Sequence, residues 1–167
     1  MITSQAGHDA GMPVTSPAAV LTVGYEGRSV EDVIAGLVAQ RVSLLVDVRL
    51  TPLSRKRGLS KRGLSEHLAA AGIEYLHLRA LGNPLDNRDA FRAGTAAARL
   101  RFKELLAGPA ALEARATIVK RAQLQTVALL CFEADPTQCH RQLVSDAVAR
   151  DAAIQRAETV ILPAAQD

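Results

Sequence analysis

The chain has 167 residues, of which 49% are apolar and 22% are charged, and this composition is typical of a globular domain with one compact core. Twenty Lys and Arg residues against seventeen Asp and Glu residues give a net charge of +3, which is too small to assign a nucleic-acid partner by itself. Aromatic residues make up only 3% of the chain and Trp is absent, so a stacking surface for single-stranded nucleic acid is not expected.

Cysteine usage and the absence of targeting signals indicate a cytoplasmic protein. Cys131 and Cys139 are the only two cysteines, too few for the disulfide framework of a small secreted domain. Residues 1–18 lack the basic start and the apolar run of a signal peptide, and no apolar run reaches the roughly 20 residues of a membrane helix. We therefore expect a flexible tail over 1–18, a single α/β domain over 19–163, a short tail over 164–167, and no membrane partner.

The predicted elements alternate between strands and helices. In chain order, apolar runs and helical periodicity predict a strand over 19–24, a helix from Ser29 to about Gln40, a strand over 43–48, a helix over 59–71, a strand over 73–78, a surface loop over 79–94, helices over 95–106 and 109–123, a strand over 126–132, a helix from about Pro136 to Ala152, and an edge strand over 159–162.

The strongest strand segments are continuously apolar rather than alternating, which indicates that both faces of the sheet are covered. The expected fold is therefore α/β: a mainly parallel sheet with helices on both faces, in a Rossmann-like three-layer architecture. In such sheets, ligands bind in the crevice outside the carboxyl ends of the strands. The loops that follow the three strongest strands are therefore the expected location of a site.

Ionisable residues are concentrated in those three loops. Asp47 and Arg49 lie two residues apart at a strand end, so their side chains should point to one face, as an internal ion pair or as part of a catalytic site. If the strands run parallel, five charged residues converge on one crevice: Glu26, Asp47, Arg49, Glu133 and Arg141.

The segment after the last strong strand carries a Cys-His-Arg sequence. If Pro136 begins a helix, Cys139 lies about one turn in, where the positive helix end favours a thiolate or a bound anion. Such a thiolate could act as a nucleophile with His140 as acid or base, although adjacent helical residues point about 100° apart. The alternative is a buried structural cysteine, with Arg141 in an ion pair to a nearby carboxylate.

Other roles for the cysteines remain open. The sulfurs of Cys131 and Cys139 could approach each other, but their spacing is not the Cys-x-x-Cys of redox enzymes. A metal site could draw on both cysteines, His140 and His77, yet the paired short spacings of recognisable zinc sites are missing. The sequence therefore predicts neither a metal nor another cofactor.

A basic segment follows the second predicted strand, with six basic residues and no acidic residue between Arg49 and Arg62. It could steer a phosphate-bearing substrate or a nucleic acid toward the crevice, or it could be a solvated loop and helix face. The residues that would contact nucleic-acid phosphates are Arg55, Lys56, Arg57, Lys61 and Arg62.

Four motifs carry a resemblance to a known family: VGYEGRS at 23–29, LVDVRLTPLSR at 45–55, GIEYLHLRALGNP at 72–84 and LLCFEADPTQCHR at 129–141. In this order, over Leu21 to Leu143, they resemble the prokaryotic domain-of-unknown-function family numbered four hundred and eighty-eight. The resemblance implies an α/β fold, with no settled activity and no settled cofactor. The family usually has an aromatic residue after the basic loop, where this chain has Leu59. The family motifs fall on Tyr25, Glu26, Gly27, Asp47, Arg49, Pro52, Ser54, Tyr75, Leu81, Gly82, Cys131, Glu133, Cys139, His140 and Arg141.

Two function classes remain open. One is a small enzyme acting on a phosphate-containing or nucleotide-like anionic ligand at the strand carboxyl ends. The other is a nucleic-acid or nucleotide-binding module that uses the basic segment and carries out no chemistry. For the enzyme, the catalytic candidates are Cys139, His140, Glu26, Asp47 and Glu133, and the ligand-binding candidates are Tyr25, Gly27, Arg49, Ser54 and Arg141.

Overall fold

The computed structural model describes residues 20–154, 158–160 and 162–163. The two predicted tails, 1–18 and 164–167, lie outside the described residues.

Among the described residues, five strands form one parallel sheet at the centre of the fold. Their bounds are Val20–Gly24 for β1, Leu44–Asp47 for β2, Glu74–His77 for β3, Val127–Cys131 for β4 and Glu158–Thr159 for β5. The order across the sheet is β3-β2-β4-β1-β5, and every pairing is parallel. The three strands predicted most clearly, β1, β2 and β4, are buried along their whole length.

In the part of the chain that the structure describes, six α-helices cover the two faces of the sheet. They are α1 Val30–Ala39, α2 Lys61–Ala70, α3 Leu85–Arg92, α4 Ala96–Leu106, α5 Pro109–Ala122 and α6 Arg141–Ala152, with short 3-10 turns at Arg79–Leu81 and Pro136–Gln138. Within the described residues, none of the helices has the length and the apolar character that crossing a membrane requires.

The first face of the sheet is covered by α1 and α2. Helix α1 begins with a reciprocal capping box, in which Ser29 Oγ accepts from the Asp32 amide at 3.1 Å and the Asp32 carboxylate accepts from the Ser29 amide at 3.0 Å. The apolar side of α1 includes Val33 and Leu37, and it shares one core cluster with Leu68 of α2. Alternate residues of the strands point into this cluster.

The second face is covered by α3 to α6. Phe91 of α3 and Phe102 of α4 are almost fully buried, and their rings meet edge to face with a centroid separation of 5.8 Å. Strand residues that do not point to the first face point into this second core cluster. The three-layer α/β architecture expected from the sequence is therefore confirmed.

The register of the sheet brings three strand ends to one edge. Gly24 at the end of β1 lies beside Cys131 at the end of β4, and Asp47 at the end of β2 lies beside Leu130. The chain leaves β1 toward α1 on the first face but leaves β4 toward α6 on the second face. Where the chain leaves two neighbouring strands toward opposite faces of the sheet, a crevice opens at the sheet edge.

Two segments differ from the sequence prediction. The predicted loop over 79–94 contains a 3-10 turn and the helix α3. This helix is hard to recognise because only Asn87 and Phe91 are buried along it, which is too few positions to give a clear apolar period. The helix predicted from Pro136 is interrupted: a 3-10 turn is followed by Cys139 in extended conformation, and α6 begins at Arg141.

Candidate functional site

A cleft of about 410 Å³ lies at the carboxyl edge of the sheet. Its walls come from the loops after β1, β2 and β4, as the parallel topology requires, and also from α3. The residues that line it are Tyr25, Arg49, Thr51, Leu53, Ser54, Arg55, Lys56, Asn83, Arg88, Phe91, Arg92, Cys131, Phe132, Glu133, Gln138 and His140.

A buried ion pair lies at the start of the basic segment. Asp47 is fully buried, and Arg49 is 5% exposed. The guanidinium of Arg49 binds the carboxylate at two points, with Nε 2.9 Å from Oδ1 and Nη2 2.6 Å from Oδ2. The prediction that these two side chains point to one face is confirmed, and they form an ion pair with each other.

The surrounding side chains complete this ion pair. Arg49 Nη1 donates to the Tyr25 hydroxyl at 2.9 Å and to the Leu59 carbonyl at 2.8 Å, and the Tyr75 hydroxyl donates to Asp47 Oδ2 at 2.7 Å. Burial alone would lower the pKa of Arg49, but the hydrogen bonds and charge of Asp47 outweigh it and raise the pKa above its ordinary value. Burial and the Asp47 charge raise the pKa of Tyr75. Arg49 is thus a permanent cation whose role here is to hold the loop that follows β2.

Short hydrogen bonds order the basic segment beyond Arg49. The Ser60 hydroxyl accepts from the Ser54 amide at 3.0 Å and donates to the Ser54 carbonyl at 3.1 Å. Ser54 Oγ in turn accepts from the Lys56 amide at 3.1 Å. Leu59 is fully buried in the core of the first face, so the position where the family usually has an aromatic residue points inward in this chain.

Cys131 and His140 meet in the wall of the cleft. The Cys131 sulfur lies 3.8 Å from His140 Nδ1, and His140 Nε2 lies 2.9 Å from the Val48 carbonyl oxygen. A carbonyl oxygen only accepts, so Nε2 carries a proton, and Nδ1 is the ring nitrogen that faces the thiol. The ring is held further by an edge-to-face contact with Phe102, at a centroid separation of 5.2 Å. His140 is therefore oriented as a base or ligand toward Cys131.

Cys139 occupies a different environment from the one the sequence predicts. Its side chain is 1% exposed and does not line the cleft. It also precedes α6 rather than lying one turn inside a helix. Burial, followed by hydrogen bonding with Cys131, raises the pKa of the Cys139 thiol well above its ordinary value. The expected position of Cys139 one turn inside a helix is therefore wrong, and Cys131 is the cysteine that faces the cleft.

Glu133 lies at the mouth of the cleft beside a basic residue of α3. Its Oε1 accepts from Arg92 Nη2 at 3.1 Å, and its Oε2 lies 3.7 Å from the Cys131 sulfur. Burial would raise the pKa of Glu133, but hydrogen bonds from the Cys139 thiol, the backbone and Arg92 keep it below its ordinary value. Glu133 is therefore an ionised carboxylate in the wall.

Two other residues expected in the crevice have structural contacts instead. The Glu26 carboxylate accepts from the Ala134 amide at 3.0 Å and does not line the cleft. Arg141 is fully buried under the β4–α6 segment, where it donates to the backbone carbonyls of Glu133 and Ala134. The Arg141 side chain is thus enclosed and does not line the cleft, so the structure does not place it where its predicted anion-binding role would need it.

The remaining ligand-binding candidates divide between the cleft and its surroundings. Tyr25, Arg49 and Ser54 line the cleft. Gly27 lies instead in a separate groove beside the start of α1. His77, the fourth metal-ligand candidate, points elsewhere, with its Nε2 2.8 Å from the Arg49 carbonyl oxygen.

Part of the positive charge in the cleft wall comes from residues that the sequence did not predict to lie there. Arg55 and Lys56 come from the predicted basic segment, whereas Arg88 and Arg92 come from the unpredicted helix α3. Within the described part of the chain, Arg55 and Arg88 have no ion-pair partner. The four-residue spacing of Arg88 and Arg92, which places them on one side of a helix, was the available signal.

No curated protein and no solved structure matches the chain. One family model matches residues 29–148, and its description is Domain of unknown function DUF488. The matched range runs from the cap of α1 to within α6 and so includes the loops after β2 and β4 that build the cleft. Because this match extends over most of the sequence, the chain belongs to the DUF488 family.

Proposed function

We propose that the protein is a small enzyme that binds a phosphate-containing, nucleotide-like anion in the cleft at the carboxyl edge of the sheet. The single observation that carries this proposal is the composition of the cleft wall. The guanidinium groups of Arg55 and Arg88, which have no ion-pair partner among the residues that the structure describes, share one cavity with the Cys131–His140 pair. Cations that bind no carboxylate are available for an anionic ligand.

The geometry of the wall supports a division of roles. Arg55 and Arg88 bind the anion directly, with Lys56 contributing positive charge beside them. Cys131 and His140 lie on the β4 side of the same cavity and supply the nucleophilic or acid–base group. Asp47 and Arg49 fix the loop that carries Arg55, and they act as positioning residues.

The cavity also has a size and a polarity that suit this ligand class. A volume of about 410 Å³ falls within the range of small-molecule sites. The apolar side chains of Leu53, Phe91 and Phe132 stand among the basic residues of the wall. A ligand with a phosphate group at one end and a flat apolar ring system at the other would use both kinds of surface.

Calorimetric titration with inorganic pyrophosphate tests the proposal, on protein treated with a chelator and kept under reducing conditions. We expect saturable binding at one site, with the affinity of Arg88→Gln lower by about tenfold or more, because a charge-assisted hydrogen bond contributes about 1.5 to 3 kcal/mol. The matched control is Arg62→Gln, which removes an exposed guanidinium that pairs with Glu66 outside the cleft.

The control variant should bind pyrophosphate like the wild type. Absence of binding by the wild type, or an Arg88→Gln variant with unchanged affinity, would overturn the proposal. An equal loss in both variants would mean that pyrophosphate responds to general positive charge, which is the behaviour of the competing nucleic-acid module.

A further inference from the structure

Three potential metal ligands meet at one point behind the cleft wall. One ligand atom from each of Cys131, Cys139 and His140 lies within 4.8 Å of the other two, and all three residues are buried. Both cysteines are free thiols. Cys131 is the last residue of β4, and Cys139 and His140 end the segment that joins β4 to α6. This segment folds back, so residues eight and nine positions apart in the sequence become neighbours.

The separation of Cys131 and His140 agrees with the edge of a tetrahedral zinc site. Zn–S bonds of about 2.3 Å and Zn–N bonds of about 2.0 to 2.1 Å place neighbouring ligand atoms about 3.6 to 3.8 Å apart. The Cys131 sulfur lies 3.8 Å from His140 Nδ1. The pair therefore already has the separation that a shared zinc ion would impose.

The orientation of His140 is that of a metal ligand. A ligating imidazole usually donates its second N–H to a carbonyl or carboxylate, which fixes the ring and the tautomer. His140 Nε2 is in that position, 2.9 Å from the Val48 carbonyl oxygen, so Nδ1 presents its lone pair to the sulfur cluster. This hydrogen bond is an observation independent of the clustering of the three residues.

We propose that Cys131, Cys139 and His140 bind a zinc ion, with the fourth coordination position open to the cleft. Two thiolates and one imidazole favour Zn²⁺ over Mg²⁺ or Ca²⁺, which prefer oxygen ligands. Two thiolates also balance the charge of the dication, as a buried site requires. Binding releases the two thiol protons to solvent and involves no change in oxidation state.

The open position follows from where the three residues lie. Cys131 and His140 line the cleft, and Cys139 lies beneath them. Three protein ligands with a fourth position facing a cavity are the arrangement of catalytic rather than structural zinc. A zinc ion there would act as a Lewis acid on an oxygen of the bound ligand or would activate a water molecule. In that form Cys131 is a ligand, and the nucleophile is no longer its thiolate.

Metal binding is argued from the clustering of the three ligand atoms and from the orientation of His140, and it does not depend on anion binding. It also departs from the sequence prediction, which disfavoured a metal because the paired short spacings of recognisable zinc sites are missing. Cys139 and His140 nevertheless come close to Cys131, because a 3-10 turn at Pro136–Gln138 returns the chain toward the end of β4.

Titration of the reduced, metal-free protein with Co²⁺ and then Zn²⁺ tests the site. We expect one equivalent of Co²⁺ to produce visible d–d bands of tetrahedral intensity and a near-ultraviolet thiolate-to-cobalt charge-transfer band, both removed by one equivalent of Zn²⁺. Cys139→Ser and His140→Gln should each weaken binding by at least about tenfold, since even the loss of an outer-shell partner costs about 10- to 100-fold.

The control variant is His67→Gln, which removes an exposed imidazole on α2 and should leave the spectrum and the affinity unchanged. Circular dichroism of each variant establishes that it is folded, and a thiol count on denatured protein establishes that both cysteines are reduced. Absence of a charge-transfer band in the folded, reduced wild type would overturn the proposal, as would unchanged affinity in Cys139→Ser. Pyrophosphate binding is measured on metal-free protein, so the two proposals fail independently.

Discussion

Asp47 is the residue on which the arrangement of the basic segment depends most. Its carboxylate accepts hydrogen bonds from Arg49 Nε and Nη2, from the Arg49 amide and from the Tyr75 hydroxyl. We expect Asp47→Asn to lower the free energy of unfolding by about 3 to 5 kcal/mol, because it leaves the buried Arg49 guanidinium without its counter-charge. Denaturant unfolding at neutral pH measures the change.

Glu66→Gln is the matched comparison, since it also removes one carboxylate from a carboxylate–guanidinium pair. The Arg62–Glu66 pair lies on the surface of α2, with side chains 92% and 62% exposed, so its loss should change the free energy of unfolding by no more than about 0.5 kcal/mol. If the two substitutions had similar effects, the Asp47–Arg49 pair would not hold the loop as we argue.

For single residues, the sequence predicted contacts between residues close together in the chain better than contacts between residues far apart in it. The shared face of Asp47 and Arg49 follows from the two-residue period of a strand. The burial of Cys139 does not follow from any local pattern, because it depends on how the β4–α6 segment folds back onto Cys131. Arg141 is likewise predicted to bind a ligand, because the sequence shows that the residue is an arginine but does not show that its side chain is enclosed.

The β4–α6 segment is the element whose position decides the site, and Gly24 at the end of β1 controls how closely it approaches. A Cβ at Gly24 would lie 1.9 Å from the Glu133 carbonyl oxygen and 3.0 Å from an Arg141 nitrogen. We expect Gly24→Ala to push this segment outward and to lower the free energy of unfolding by about 1 to 3 kcal/mol. The affinity for Co²⁺ should fall with it, because two of the proposed ligands follow Glu133 in the segment.

Gly108→Ala is a suitable control for the substitution itself. Gly108 caps α5 with a φ of −71°, and a Cβ there would lie 3.2 Å from its nearest neighbour, the Leu105 carbonyl oxygen. We expect a small loss of stability and unchanged cobalt spectra for this variant. Gly24→Ala with a wild-type cobalt affinity would mean that the segment can shift without disturbing the cysteines.

The elements that the sequence predicted correctly are those with strong local signals. Ser29 and Asp32 identify the start of α1 as a capping box, and Gly108 followed by Pro109 separates α4 from α5. Helix α3 was missed because it is polar, although its buried Asn87 is held by bonds to Asn83 Oδ1 and the Ala98 carbonyl. The Ala98 carbonyl belongs to α4, so a contact with another helix, which the local sequence pattern does not show, helps to hold α3.

For the whole molecule, apolar strands and alternating elements were enough to predict a parallel three-layer fold and a site at its carboxyl edge. Strand order was beyond the sequence: β4 inserts between β2 and β1, which is why the loop after β4 meets the loops after both of the earlier strands. Arg88 and Arg92 joined the cleft only through the unpredicted α3. The location of the site was thus predictable from topology, and the identity of its cations was not.

The distribution of positive charge over the whole surface bears on the competing nucleic-acid module. The five basic residues proposed for that role are spread over two cavities and the surface of α2: Arg55 and Lys56 line the cleft, Lys56 and Arg57 line the groove beside α1, and Arg62 pairs with Glu66. Five phosphate contacts by a single module would give a slope of about −4.5 for the logarithm of affinity against the logarithm of salt concentration. We expect weak binding of duplex DNA with a much shallower slope.

Fluorescence anisotropy of a labelled duplex at several salt concentrations measures that slope, and Arg57→Gln combined with Lys61→Gln separates the two surfaces. Because neither residue lines the cleft, the double variant should bind pyrophosphate like the wild type. A slope near −4.5 that the double variant makes shallower would show that the basic segment acts as one continuous surface on DNA. The basic residues would then bind phosphates along a duplex. An anionic ligand in the cleft would no longer be needed to explain why Arg55 and Arg88 have no carboxylate partner among the described residues.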